Sequence, residues 1–419
     1  MKLKKFVVDL FAGCGGLSLG LEKAGFHPVF VNELNKDAMS SYLKNRQQTE
    51  PRLNQPEFHE HDIKKIVTTR GSIKKMMYAF KREFNFSIDN GELDLVVGGP
   101  PCQGFSGIGH RRSYSVDKEQ LPSNHLFQDM AFVVNKLKPK IFLFENVKGL
   151  LSAKWTPTGT KGEIFEDVLD AFWSIKGYCI EHALVLAKDY GAPQNRPRVL
   201  VVGVRNDINL SPWKKIDNKV ANGFLPPPTY DAPSLIDLLG DLVDPKFEYG
   251  GSSTSYVNPA TTPLQKRLRT ALNGKVAPKG SVLTEQEYSS HSEKVIEKFT
   301  YMLKHNGAIP THLKTKKFSQ RLLPARWGES GPTITATSLA DDYVHFSQAR
   351  VLTVREWARL QGFPDWYEFS GSRTTGGLRR AGNPKEGIFD RELPKYTQIG
   401  NAVPVFLAEK VGLHFLKVL

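Results

Sequence analysis

Residues 96–106 read Val-Val-Gly-Gly-Pro-Pro-Cys-Gln-Gly-Phe-Ser, and this stretch constrains the chain more than any other. The branched apolar run Leu93, Leu95, Val96, Val97 stops at Gly98-Gly99-Pro100-Pro101, and the next residue is Cys102. A buried strand that ends at glycines marks the carboxyl edge of an α/β sheet, where ligands bind. The two prolines fix φ and favour extended backbone, so Cys102 is held outward. Presented this way, Cys102 is a candidate nucleophile. A small buried apolar residue is the plainer reading of a lone cysteine.

The partners of such a thiol come from both sides of it. Phe6–Phe11 reads as a buried strand, followed by Ala12-Gly13-Cys14-Gly15-Gly16 and a helical pattern from Leu17 to Ala24. A strand, a glycine turn and a helix gather backbone N–H groups and a helix N-terminus at one point. A second strand, Pro28–Val31, runs into Asn32-Glu33-Leu34, which places Glu33 20 residues after Gly13. At that distance an acid ends the second strand and can hold two ribose hydroxyls, so an adenosine-containing cofactor is expected. The spacing GxGG, not GxGxxG, counts against a dinucleotide and leaves a dehydrogenase as an outside alternative. A third polar strand end is expected at Asp62, in His61-Asp62-Ile63.

Further on, Ser72–Phe84 reads as an amphipathic helix with a solvated basic face, and Leu126–Leu137 as a core-facing helix. The strand Lys140–Phe144 ends in Glu145-Asn146-Val147, so Glu145 is the candidate proton donor. Tyr178–Ala187 and Val199–Val204 read as strands around Gln194-Asn195-Arg196-Pro197-Arg198, whose two arginines alternate and would point the same way. They suit a phosphate, or the orientation of a nearby carboxylate. Gly104–Arg112 reads as a lid over Cys102, with Arg111 and Arg112 at its basic end.

Alternating strand and helix signals fade after Asn206. Three domain segments are expected: 1–205 and 326–419 as the catalytic domain, and a loop-rich 206–325 containing the cationic run Lys314–Arg321. Thr353 and Glu356 have capping-box spacing, and Gly362-Phe363-Pro364 ends that helix. A net charge of +14, from 57 Lys and Arg against 43 Asp and Glu, points to polyanionic partners. Three widely spaced cysteines build neither a disulfide framework nor a metal pair, which suits a reducing cytoplasm, and no metal is expected. No stretch approaches the roughly 18 apolar residues of a membrane helix, and the N-terminus does not read as a signal peptide.

Together these stretches closely resemble the cytosine-C5 DNA methyltransferases of bacterial restriction-modification systems. The match comprises Asp9–Gly16, Glu33, Pro100-Pro101-Cys102-Gln103 with Phe105-Ser106, Glu145-Asn146-Val147, Gln194-x-Arg196-x-Arg198, the block from Arg350 to Pro364, and Gly400–Pro404. Seven short patterns in the family's order, across almost the whole chain, are a specific signature. The resemblance implies a Rossmann-like α/β domain for S-adenosyl-L-methionine, closed by a C-terminal helix returning beside the first strand, and a smaller target-recognition domain. Phe11, Gly13, Gly15, Gly16, Glu33, Leu34, Asp62, Ile63, Pro100, Asn401 and Val403 would line the cofactor pocket. Cys102, Glu145, Arg196 and Arg198 would carry the chemistry on a cytosine flipped from double-stranded DNA. Gln103, Ser106, Arg111, Arg112, Lys316 and Lys317 are the expected nucleic-acid contacts.

A cytoplasmic monomer is expected, and the sequence leaves open whether a separately acting endonuclease accompanies it. The resemblance assigns no role to the long spacer Ser370–Lys395. The alternatives are a tRNA cytosine-C5 methyltransferase of the same lineage and a DNA-binding regulator without catalysis.

Overall fold

The computed structural model describes residues 4–85, 91–101, 122–216, 218–314, 320–324, 334, 339–374 and 392–419. They pack as two compact units: residues 1–189, 197–229 and 407–419 in the first, and 190–196 with 230–406 in the second. Residues 206–229 thus pack with the first unit and residues 326–406 with the second. The contacts behind this pair segments far apart in the chain. In the first unit the indole of Trp213 stacks on His414 at 4.8 Å and donates to its carbonyl at 2.9 Å. In the second, Arg359 bridges to Asp241.

The first unit is an α/β fold around a seven-stranded sheet. Its strands are β1 (Lys5–Leu10), β2 (Phe26–Asn32), β3 (His59–Glu60), β4 (Leu95–Gly98), β5 (Ile141–Val147), β6 (Tyr178–Leu186) and β7 (Pro197–Arg205), in the order β3-β2-β1-β4-β5-β7-β6. The strands from β3 to β5 run parallel, while β7 lies antiparallel to both β5 and β6. The order reverses between β1 and β4, so the ends of these two strands open a crevice at the carboxyl edge.

The central strands are apolar on both faces, as a sheet covered by helices requires. Val7, Val8, Leu95, Val96, Val97, Phe142 and Phe144 are all fully buried. The covering helices include α1 (Gly16–Ala24), α2 (Lys36–Lys44), α3 (Ile63–Thr68), α4 (Ser72–Phe84), α5 (Leu126–Leu137) and α6 (Glu163–Trp173). The bounds of α4 and α5 are those expected from sequence, because each carries its apolar residues at helical spacing: Met76, Ala79 and Phe80 in α4, and Met130, Val133, Val134 and Leu137 in α5. The C-terminal helix Val405–Phe415 returns to α1, where a Cβ at Gly412 would lie 2.8 Å from the Cβ of Ala24. This unit is the Rossmann-like fold expected.

Among the described residues the second unit has little sheet, in the short parallel pair Arg321–Leu322 and Tyr343–Val344. Buried ionic contacts hold it together. Arg359 grips Asp365 with its Nε at 2.9 Å and Nη2 at 2.6 Å, and also reaches Asp241, which accepts from Arg269 Nε at 2.7 Å. Arg350 forks onto Glu356 at 2.7 and 2.8 Å. The capping box of the helix Val354–Leu360 forms as read, with Thr353 as its N-cap. Gly362 follows at φ +87°, a left-handed position that suits glycine.

Candidate active site

The crevice is built first by backbone. β1 ends at Leu10, and Phe11 takes φ +56°, an uncommon conformation for a bulky side chain and one that gathers at ligand-binding turns. Gly13 and Gly15 follow at φ +58° and +88°, and Gly16 opens α1. A Cβ at Gly13 would meet nothing within 4 Å, so the turn faces open space. Glu33, one residue past β2, accepts from the N–H of Gly13 at 2.9 Å and of Asn35 at 2.8 Å. Its carboxylate therefore links the ends of β1 and β2. Burial raises its pKa, while those two N–H groups act the other way.

Beside it, Leu34 is 72% exposed, a large apolar side chain placed where a flat ring could cover it. Asp62 N-caps α3 by accepting from Lys64 N–H at 2.9 Å, and Ile63 is buried behind it. His61 links this turn to the Glu33 carbonyl at 3.0 Å. A turn with room above it, an acid holding both strand ends and an exposed leucine fit a nucleoside bearing a charged tail, as S-adenosylmethionine does. Beneath the turn, Asp9 is fully buried, accepts from Ser18 Oγ, and has its pKa pushed up to about 7 by burial.

The second half of the crevice lies at β4 and β5. Glu145, in β5, pairs with Nε of Arg198 in β7, and both side chains are about nine-tenths buried. Burial lowers the pKa of Arg198, while the Glu145 carboxylate acts in the opposite sense. Antiparallel pairing places Val147 opposite Arg198 and brings the acid and the guanidinium together.

Gly98 and Gly99 are needed here for space. A Cβ at Gly99 would lie 2.8 Å from Glu145 Oε2, and one at Gly98 the same distance from the sulfur of Met130. The turn into Pro100-Pro101 thus runs directly over the acid. Asn146 secures it by donating from Nδ2 to the Pro100 carbonyl at 3.1 Å. The one signal of this role in the sequence is the place of Asn146 directly after the acid, near the end of β5. Cys102, Gln103, Ser106, Arg111, Arg112, Lys316 and Lys317 lie outside the described residues.

The second unit receives the other expected site residues. Arg196 was expected to stand behind Arg198 at the carboxylate. Its guanidinium instead donates to the carbonyls of Ile334 and Gly400, so the two alternating arginines have different tasks. Gln194 donates to Gln361 Oε1 at 2.7 Å, and Gln361 in turn to the Ile399 carbonyl at 2.7 Å. Asn401 closes the helix Lys395–Asn401 with its side chain exposed, and Val403 is buried. The ends of the Ser370–Lys395 spacer are held together, with Lys395 N–H donating to the Ser372 carbonyl at 2.9 Å and Gln398 to that of Ser370 at 2.8 Å.

Residues 6–417 match the family of C-5 cytosine-specific DNA methylases. The Type II methyltransferase M.BspRI of Lysinibacillus sphaericus is 31% identical over 98% of this chain and 81% of its own length. The Type II methyltransferase M.DdeI of Desulfomicrobium norvegicum is 29% identical over 97% and 87%. Among solved structures, a prophage-encoded DNA modification methyltransferase of E. coli superposes with a TM-score of 0.65 at 22% identity, covering 99% of both chains. From its crevice, its paired Glu145 and Arg198 and a family match over nearly its whole length, the chain belongs to the C-5 cytosine-specific DNA methylases, enzymes that take their methyl group from S-adenosyl-L-methionine.

Proposed function

We propose that this enzyme methylates carbon 5 of a cytosine flipped out of a specific duplex sequence, through a transient bond to Cys102. The observation that carries the reading is the Glu145–Arg198 pair set under Gly99, at the turn that leads straight to Cys102. Cytosine C5 is a weak nucleophile, so the ring needs activation. The Cys102 thiolate adds to C6, a carbon–sulfur bond forms, and the electron pair moves toward C5 and N3. Glu145 as the acid hydrogen-bonds N3 and stabilises the charge gathering there. Arg198 fixes the direction of that carboxyl group, and Asn146 fixes the turn above it.

Glu33, Leu34, Asp62 and the Gly13–Gly16 turn would hold S-adenosylmethionine, whose sulfonium supplies the methyl group. Once C5 carries the methyl group, its proton leaves to solvent, the carbon–sulfur bond breaks and the thiolate is restored. The target must leave the base stack, because neither face of C6 can be reached inside a duplex.

The curated relatives are named Type II methyltransferases. Those names support a place in a restriction-modification system, and the reading extends to a monomer acting in the cytoplasm beside a separate endonuclease of the same sequence. Among the described residues no helix is long and apolar enough to cross a membrane. Residues 206–325 would contribute the surface that reads the sequence, and Asn401 and Val403 would assist the cofactor.

Incubation with S-adenosylmethionine and duplex DNA containing 5-fluorocytosine tests the reading, because after methyl transfer the fluorine at C5 cannot leave and the adduct persists. A covalent complex is expected with the wild type and none with Cys102→Ser. Glu145→Gln should slow methyl transfer by roughly two to four orders of magnitude while DNA is still bound. Trapping on tRNA but not on duplex DNA, or an adduct that survives Cys102→Ser, would overturn the proposal.

A further inference from the structure

Acidic residues make up 43 of 419 positions, about one in ten, yet none occurs from Tyr249 to Thr284. The same span holds Lys266, Arg267, Arg269, Lys275 and Lys279. Arg269 is buried against Asp241, whereas Lys266, Arg267, Lys275 and Lys279 are exposed. Lys266, Lys275 and Lys279 have no acidic partner among the described residues.

The same span presents apolar side chains to solvent. Leu272, Val276 and Val282 are exposed, Val282 at 79%. This is not a loosely held loop. Ala277 N–H donates to the Arg269 carbonyl at 3.1 Å, Gly280 N–H to that of Tyr256 at 2.9 Å, and Leu283 N–H to that of Thr254 at 2.9 Å. Isolated bridges pair Thr270 with Val276 and Ser255 with Val282. A hydrogen-bonded frame thus holds apolar and cationic side chains outward. Between Lys266 and Lys279 it encloses an open pocket of about 500 Å³, walled by Pro259, Val276, Ala277 and Pro278.

We propose that this acid-free span is a phosphate-backbone clamp for duplex DNA, separate from the reading of bases. Cations on either side of an apolar hollow match the repeat of a nucleic-acid strand, in which phosphates flank an uncharged sugar. Lys266 and Lys279 take the phosphates, the deoxyribose rests on Val276 and Pro278, and Lys275 extends the contact. This rests on the enzyme acting on DNA, as proposed above.

Each lysine on a phosphate releases counterions, so the test is the salt dependence of binding to a duplex of arbitrary sequence. The slope of log K against log salt should become shallower by roughly 2 to 3 in the variant Lys266→Gln, Lys275→Gln, Lys279→Gln, at about 0.9 per contact. The matched control removes Lys74, Lys75 and Lys81 by the same change on the exposed face of α4, and there the slope should hold. Far-UV circular dichroism verifies that both variants are folded. Equal loss in the two variants would reduce the effect to net charge and overturn the clamp. An unchanged slope with an altered sedimentation coefficient would make the span a contact between copies of this chain, and equally overturns it. Wild-type methyl transfer to DNA is measured in parallel, so failure of the clamp and failure of the DNA reading are told apart.

Discussion

Asp9 shows how far burial changes what a residue is. In the strand pattern it looks like a break in an apolar run, yet it is 1% exposed, with Ser18 donating to it and Tyr42 bonded to Ser18 at 2.8 Å. Burial raises its pKa from an ordinary 3.8 to about 7, against the pull of Ser18 and Arg46. Folding therefore favours the neutral acid. The stabilisation is complete below the unfolded pKa and is lost as pH rises through about 7. A shift from 3.8 to about 7 corresponds to about 4 kcal/mol at most. Asp9→Asn keeps the shape without the titration, so relative to wild type it should gain stability between pH 5 and pH 8, read from urea midpoints. Parallel pH profiles would show that Asp9 folds already ionised. Glu22, Glu33 and Arg46, the charged neighbours, are present in both proteins.

At the scale of elements, sequence legibility depended on what sets each element. The strands ending at Leu10 and Gly98 and the helices α4 and α5 are fixed by local apolar periodicity and are legible in the sequence, whereas β5 runs three residues past the apolar run, through Glu145 to Val147. The helix Val354–Leu360 was read correctly as capped, but its arginines were not recognised as interior. Arg355 and Arg359 in the helix, and Arg350 just before it, are each 0% exposed. A charged residue in a helix reads as solvated unless its partners are known, and Asp241 lies 118 positions before Arg359.

Such a residue cannot be removed cheaply. Arg359→Met leaves Asp365 and part of Asp241 as uncompensated buried charge and should cost about 3 to 5 kcal/mol, the usual penalty for a broken buried pair. Arg359→Lys should recover only part of it, since an ammonium cannot fork onto two carboxylates. Chemical denaturation followed by tryptophan fluorescence checks both, because Trp357 is buried in the same helix. A loss under about 1 kcal/mol for the methionine variant, the range of an exposed ion pair, would mean that the network adds little.

For the whole molecule, the packing of residues 206–229 with the first unit was not legible, because it rests on Trp213 meeting His414, 201 positions away. Pairing of that range leaves no periodic trace in a single chain. The acid at the end of the second strand was legible, because 20 residues is the natural span of a strand–helix–strand unit. Glu33 also gives the site its global reach. It joins the Gly13 turn to the start of α2, so ligand bound there engages the ends of both β1 and β2.

Ligand that binds only the folded chain stabilises it by about 2.7 kcal/mol at a hundredfold excess over Kd. S-adenosylmethionine should therefore raise the melting temperature of the wild type in a concentration-dependent way. Glu33→Ala should abolish most of that rise, with a smaller loss in Glu33→Gln, whose amide can still accept from Gly13 and bond one hydroxyl. Should Glu33→Ala keep the full rise, the ribose would be held elsewhere. The cofactor half of the crevice would then have to be sought away from the junction of β1 and β2.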